Sequence, residues 1–225
     1  MYMDWEKSIG EDSIKMKKGL FVTFEGIDGS GKSTQVWLLG KYISSLNKYN
    51  HIIMTREPWK NADIRKILHE DDDPYSQAMK LAEMFVEDRK EHFSELMSPN
   101  INKGIHVISD RYSFSTLAYQ QTQGIPLDKL LKMHEGLPIP DLIFIVDIPV
   151  EVALQRMKKD AIRKTEQKFE KNKEFIEKLR KIYLDLAKIQ GHNVIVIDGT
   201  KSPEEIFEKQ IKPAFDKVYN SLYSK

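Results

Sequence analysis

An α/β fold, a five-stranded parallel sheet with helices on both faces, is what this chain predicts, and three observations predict it. Five short runs rich in β-branched and aromatic residues are almost continuously apolar, as strands buried on both faces are. A longer stretch with helical periodicity follows each run, and such alternation implies right-handed crossovers and parallel pairing. The length of 225 residues, with 40% hydrophobic and 31% charged residues, suits one domain with a large core.

The predicted strands are Leu20–Phe24, Ile52–Thr55, Ile105–Ser109, Leu142–Val146 and Val194–Ile197. Helical patterns cover 31–46, 61–69, 75–98, 113–123, 127–135, 149–160, 167–190 and 203–222. Pro203 stands near the start of the last, where its missing N–H costs nothing. Residues 1–18 are polar with a basic run ending in Lys17 and Lys18, and read as a flexible tail; 19–225 read as a single domain. The formal net charge of +1 predicts no broad nucleic-acid or membrane surface. Absence of cysteine excludes disulfides and thiolate metal sites, and no apolar run reaches the length of a membrane span. The N-terminus lacks the apolar core of a signal peptide, which points to the cytoplasm.

Ligands of parallel α/β sheets bind at the carboxyl ends of the strands, so the residues following each strand matter most. Strand one runs into Gly26-Ile27-Asp28-Gly29-Ser30-Gly31-Lys32-Ser33, with Thr34 next, and this segment fits the phosphate-binding pattern G-x-x-x-x-G-K-[ST] at every fixed position. Glycines let successive N–H groups turn inward on phosphates, and the helix beginning near Gly31 adds its positive end. Lys32 is expected to reach the β- and γ-phosphates of ATP, and Ser33 to offer its hydroxyl to Mg²⁺. A bare glycine-rich turn is the plain alternative; the preceding buried strand and following amphipathic helix are the context that favours the phosphate site. These features specify a P-loop NTPase three-layer sandwich. Asp110 closes strand three, either as a partner for the Mg²⁺ shell or as an N-cap for the next helix.

A second anionic substrate needs its own site. On the predicted helix after Tyr75, the stripe Ala78, Leu81, Ala82, Phe85, Arg89, Phe93, Leu96 places an arginine on a core-facing side. Arg89 is either a snorkelling or salt-bridged core residue, or one edge of a slot in which Phe85 stacks on a base. Thr116 and Gln120, also four apart, could read an imide edge such as that of thymine or uracil. Arg56, Arg65 and Arg111 could converge on a monophosphate or make ordinary surface ion pairs.

At these residues the chain resembles the thymidylate kinases, within the nucleoside-monophosphate kinase branch of P-loop proteins. The resemblance runs from Lys18 to the C-terminus and rests on ordered motifs: Phe24 to Gln35, T-R-E-P at Thr55–Pro58, F-x-x-x-R at Phe85–Arg89, the string from Asp110 to Gln120, and Pro140–Asp147. It implies transfer of the ATP γ-phosphate to dTMP, giving dTDP and ADP, by a homodimer. Phe85 would stack on thymine, Arg89 would bond its exocyclic oxygen, and Thr116 and Gln120 would read the base edge. Asp28 would lie near the sugar 3′-hydroxyl and the acceptor phosphate. Arg65 and Arg111 would hold that phosphate, with Arg56 and Glu57 nearby, and Tyr119 would wall off the sugar. A short helical lid is implied over about 156–168. Gly29 leaves the P-loop without an arginine, so the lid should supply the catalytic one: Arg163 is the first choice, with Arg156 against the adenine. Many relatives carry glycines after T-R-E-P; Trp59 and Lys60 stand here and could re-aim that loop over the acceptor. Two alternatives remain open at this stage: a different acceptor, dUMP or a deoxynucleoside, and a P-loop ATP-binding module that regulates a partner.

Overall fold

The computed structural model describes residues 17–159, 172–189 and 193–223. Five strands form one parallel sheet in the order β2-β3-β1-β4-β5: β1 Phe21–Glu25, β2 Ile52–Arg56, β3 His106–Asp110, β4 Leu142–Asp147 and β5 Val194–Asp198. β1 and β3 are buried throughout and β4 is buried up to its last residue, whereas β2 and β5 at the edges are partly exposed. The all-parallel arrangement has the apolar continuity that the sequence predicts for strands covered on both faces. Every strand runs one residue further than its apolar stretch and ends on a charged side chain: Glu25, Arg56, Asp110, Asp147 and Asp198. Burial drives the apolar part of each strand, and its carboxyl end delivers a charge to one edge of the sheet.

Strand residues alternate between two helical layers. Val22, Phe24, Leu142, Phe144 and Val146 pack with α1 (Lys32–Leu46) and the C-terminal helical segments α9 (Pro203–Ile206) and α10 (Lys212–Tyr223). Ile143 and Ile145 face the other way, onto α5 (Ser113–Thr122) and α8 (Lys173–Ile189), with α3 (Ala78–His92), α6 (Leu127–Met133) and α7 (Val150–Lys159) around them. The result is a three-layer α/β/α sandwich. α1, which follows β1, and α5, which follows the adjacent β3, lie on opposite faces, and the two chains diverge at the carboxyl edge to leave a crevice.

The long helix predicted over 75–98 begins at Ala78, widens into a π-helical turn at Phe93–Met97 and ends as α4 (Ser98–Asn102). The last predicted helix does the same, with a π-helical turn at Phe207–Ile211 between α9 and α10. A proline stands two residues beyond each turn, Pro99 and Pro213. Proline removes the N–H bound for the carbonyl four residues back and crowds that carbonyl. Those carbonyls belong to Glu95 and Lys209, inside the widened turns, so a local gain of one residue accommodates the ring without ending the helix. α2 (Ala62–Glu70) starts at Asn61, whose side chain accepts from the N–H groups of Asp63 and Ile64. Of the predicted tail, residues 1–16 lie outside the described residues; Lys17 and Lys18 are exposed, and the Lys18 carbonyl accepts the Tyr223 hydroxyl.

Phe144, fully buried, stacks on Phe24 at 5.1 Å between ring centroids. Phe144→Ala should lower the free energy of unfolding by about 3–5 kcal/mol, read by urea denaturation; a loss below about 1 kcal/mol would show that the sheet does not depend on this packing.

Candidate active site

The loop between β1 and α1 takes a shape that only glycine tolerates at two points. Gly26 has φ +132°, and a Cβ there would stand 2.6 Å from the Val146 carbonyl of the neighbouring strand. Gly29 has φ +77°, and its Cβ would stand 2.7 Å from the Ala153 carbonyl of α7. Inside the loop, the Lys32 ammonium donates to the Ile27 carbonyl at 2.8 Å and lies 3.5 Å from Ser30 Oγ. Burial, with Arg111 close by, lowers the Lys32 pKa to about 8, while Asp28, Asp110 and Glu25 act the other way. Lys32 is therefore a cation short of countercharge, held where an anion would be welcome. Ser33 donates to Asp110 Oδ2 at 2.5 Å, and Arg56 Nη2 donates to both, at 2.9 Å and 3.3 Å. Asp110 thus lies beside the cradle, facing the hydroxyl that starts α1.

Arg111, the first residue after β3, has φ +77°, a conformation L-residues seldom adopt. Its N–H donates to the Phe24 carbonyl at 2.9 Å, and the next N–H, of Tyr112, donates to Glu25 Oε1 at 2.8 Å. So bound, the turn throws the Arg111 guanidinium back over the loop. There it donates to Asp28 Oδ1 at 2.6 Å, to the Gly26 carbonyl at 3.1 Å and to Ser115 Oγ at 3.0 Å. Tyr119 donates to the other Asp28 oxygen at 3.2 Å. Beneath them Glu25 is fully buried and accepts from Ser115 Oγ at 2.6 Å. Burial pushes the Glu25 carboxyl up to about 7, although the Ser115 hydroxyl, Arg111 and the Tyr112 N–H all favour its ionised form.

The far end of the crevice lies between α3 and α5. Arg89 is 1% exposed: it makes the core salt bridge that one reading expects, and it also lines the cavity. Its Nε donates to Glu57 Oε2 at 2.8 Å, Nη2 to the Tyr112 carbonyl at 2.9 Å and to Thr116 Oγ1 at 3.0 Å, and Nη1 to His134 Nε2 at 2.8 Å. Four of the five guanidinium hydrogens are thereby used. Gln120 is completely buried; its amide nitrogen donates to Gln123, and its Oε1 has no partner among the described residues. A buried amide oxygen left unpaired costs stability unless a ligand supplies the donor. Phe85 lines the same end, half-buried.

One cavity of about 970 Å³ joins these parts. Asp28, Gly29, Gly31, Lys32, Ser33, Thr34, Asp110 and Arg156 border it at the loop end, and Arg56, Glu57, Arg65, Phe85, Arg89, Arg111, Thr116, Tyr119 and Gln120 continue it to the slot. Gly26, Ile27 and Ser30 belong to the loop without lining the cavity. Arg156 donates to the carbonyls of Ser30 and Gly199, at 3.4 Å and 2.9 Å. Arg65 is exposed and donates to the carbonyls of Pro58 and Trp59. Trp59 turns away from the cavity and stacks on His92, ring centroids 4.8 Å apart, with the Lys60 ammonium over it. Asp88 holds the loop so, accepting from the N–H groups of Trp59, Lys60 and Asn61. Arg163 and the predicted lid from 160 to 168 lie outside the described residues.

Sequence reasoning missed Glu25, Asp88 and His134. A carboxylate ending an otherwise apolar strand was a usable signal for Glu25. Asp88 and His134 carry no local signal, because the backbone N–H groups and the guanidinium they serve come from distant segments. A serine and an arginine against an aspartate, a glycine loop holding a lysine, and an unpaired amide near a half-buried ring all border one continuous cavity.

The thymidylate kinase family model matches residues 24–211. The thymidylate kinase of Carboxydothermus hydrogenoformans is 41% identical over 84% of this chain and 94% of its own length. That of Thermosipho melanesiensis is 38% identical over 88% of this chain and 98% of its own. Among solved structures, a thymidylate kinase from Ehrlichia chaffeensis superposes with a TM-score of 0.68 at 28% identity, covering 87% of this chain and 98% of that one.

With Glu25 raised from its ordinary 4.5 to about 7, the folded chain holds a proton that the unfolded chain has lost between those values. Its contribution to stability is full below about 4.5 and is lost as pH rises through about 7. Glu25→Gln should gain stability relative to the wild type by on the order of 3 kcal/mol between pH 5 and pH 8 in parallel denaturation curves. A difference independent of pH would contradict the buried, weakly acidic carboxyl.

Proposed function

This chain belongs to the thymidylate kinase family, and on that premise we propose how its residues divide one phosphoryl transfer between two nucleotides. It is an ATP-dependent nucleoside-monophosphate kinase that passes the γ-phosphate of ATP to dTMP, giving ADP and dTDP. The observation that carries the assignment of roles is the single cavity with a phosphate cradle at one end and a base-sized slot at the other.

ATP takes the loop end. Its β- and γ-phosphates meet the inward N–H groups of Gly26 to Thr34 and the Lys32 ammonium, and Arg156 lies where the adenine leaves the cradle. Ser33 Oγ and Asp110 Oδ2 form a hard-oxygen pair that fits Mg²⁺. When bound, that ion would neutralise charge on the β- and γ-phosphates. No cluster of three or more acidic, histidine or cysteine ligands occurs among the described residues, which suits an ion held largely by substrate phosphates and water.

dTMP takes the slot. Phe85 offers a face for the base, and Arg89 keeps one Nη1 hydrogen for an exocyclic oxygen. The unpaired Gln120 Oε1 suits the imide N–H of thymine. Tyr119 and Asp28 stand at the sugar, and Arg111 and Arg65 meet the monophosphate, with Arg56 and Glu57 behind them. An acceptor phosphate oxygen attacks the γ-phosphorus in line as the bond to the bridging oxygen of ADP breaks. The acceptor is already anionic at neutral pH and needs no general base, so charge neutralisation by Lys32 and Arg111, with Asp28 holding Arg111 in position, supplies the catalysis. We assign the transition-state arginine to Arg163, on the family resemblance and on the absence of any arginine in the P-loop. We also read residues 19–225 as one kinase domain with its lid at about 156–168, acting as a homodimer in the cytoplasm on free nucleotides. No helix among the described residues is long and apolar enough to cross a membrane.

In a coupled ADP-release assay, dTMP should accelerate turnover far above the ATP-only rate, with dCMP and thymidine poor acceptors. Discrimination against dUMP rests on one methyl, worth only about 1–3 kcal/mol, and should be modest. An ADP rate indifferent to dTMP would sink the assignment. Arg163→Ala should cut kcat by about 10³-fold or more, with little change in the dTMP KM; unchanged turnover would remove Arg163 from the reaction.

A further inference from the structure

His134 closes α6 behind Arg89, buried and outside the cavity wall. Its Nδ1 lies 2.7 Å from the Leu130 carbonyl, and its Nε2 lies 2.8 Å from Arg89 Nη1. The carbonyl can only accept and the guanidinium can only donate, so both neighbours demand the same form of the ring. Nδ1 carries the hydrogen and Nε2 presents a lone pair, which makes the imidazole neutral. Burial, together with the Arg89 and Lys90 charges, lowers its pKa to about 4, in keeping with that form.

With this neutral acceptor in place, Arg89 has partners for all but one of its hydrogens. Glu57, the Tyr112 carbonyl and Thr116 fix the Nε and Nη2 side of the guanidinium. On the other side His134 takes one Nη1 hydrogen, and the planar geometry of the group then fixes the direction of the second. We propose that His134 is a positioning residue for base selection: it anchors the rear of Arg89 so that the remaining Nη1 hydrogen faces an exocyclic oxygen of the bound pyrimidine. This rests on the reading of the Arg89 slot as the base site. A cytosine presents an amino group at the corresponding position, and a donor held in place there opposes another donor. If Arg89 could swing, that opposition would relax. His134 therefore acts on discrimination between keto and amino pyrimidines without touching either.

The test compares His134→Leu and His134→Gln with the wild type, using dTMP and dCMP as acceptors. The leucine variant should raise the dTMP KM on the order of tenfold, as expected for loss of a hydrogen bond to a charged group, and should narrow the dTMP-to-dCMP preference. Its kcat and ATP KM should stay within about twofold, because the cradle is remote from His134. Glutamine, whose Oε1 can accept from Arg89, should recover most of the loss. If the leucine chain does not fold, His134→Asn replaces it, being polar but too short to reach Arg89. An unchanged dTMP KM in the leucine or asparagine variant overturns the proposal. So does a fall in kcat and ATP affinity in step with the dTMP effect, or a glutamine variant no better than leucine. Arg89→Lys separates the two levels: if it raises the dTMP KM while His134 variants do not, only the positioning role fails. If Arg89→Lys leaves that KM unchanged, the base-site reading fails and takes this proposal with it.

Discussion

The Arg111 guanidinium ties the two ends of the cavity together. It bonds Asp28 and the Gly26 carbonyl in the loop on one side and Ser115 of α5 on the other. In the division of roles we propose, the loop serves the donor nucleotide, whereas α5 carries Thr116 and Gln120 for the acceptor. Any displacement of Arg111 would therefore misalign donor and acceptor at once. The unusual backbone at Arg111 is part of this arrangement, because an extended or helical residue after β3 would not return its side chain over the loop. Glu25 stabilises that turn through the Tyr112 N–H and stands beneath Ser115.

Within the sheet, charge is concentrated where the strands end. Central strands bury apolar side chains on both faces and cannot carry charge along their length without large cost. At the carboxyl edge the helical layers diverge, Arg56 and Asp110 line the crevice, and Glu25 stays buried beneath it. Register makes the clustering possible: Phe24 pairs with Asp110 in the sheet, and Arg56 pairs with Asp110 on the other side. Three segments distant in sequence therefore place their terminal side chains within reach of one another. The buried Arg89 network follows the same logic one layer out, with Glu57 reaching Arg89 from the loop after β2.

Much of this was legible beforehand, for identifiable reasons. Strand cores, helix positions and the phosphate loop follow from periodicity and glycine spacing, which are local. The Phe85, Arg89, Thr116 and Gln120 constellation was visible as i to i+4 pairs on two helices. The two π-helical turns were not read, although Pro99 and Pro213 mark them. Trp59 was expected to re-aim the loop over the acceptor; its indole stacks on His92, and Asp88 fixes the loop by collecting three consecutive N–H groups. Such contacts join segments that share no periodicity, so no pattern along the chain announces them.

The account stands on donor and acceptor meeting end to end in one cavity. A compound joining adenosine and thymidine 5′ to 5′ through five phosphates spans both subsites and measures this directly. Binding of one molecule per chain, tighter than either nucleotide alone and competitive against both ATP and dTMP, is the predicted result. Competition against only one of the two nucleotides, or affinity no better than that of ATP, would contradict it.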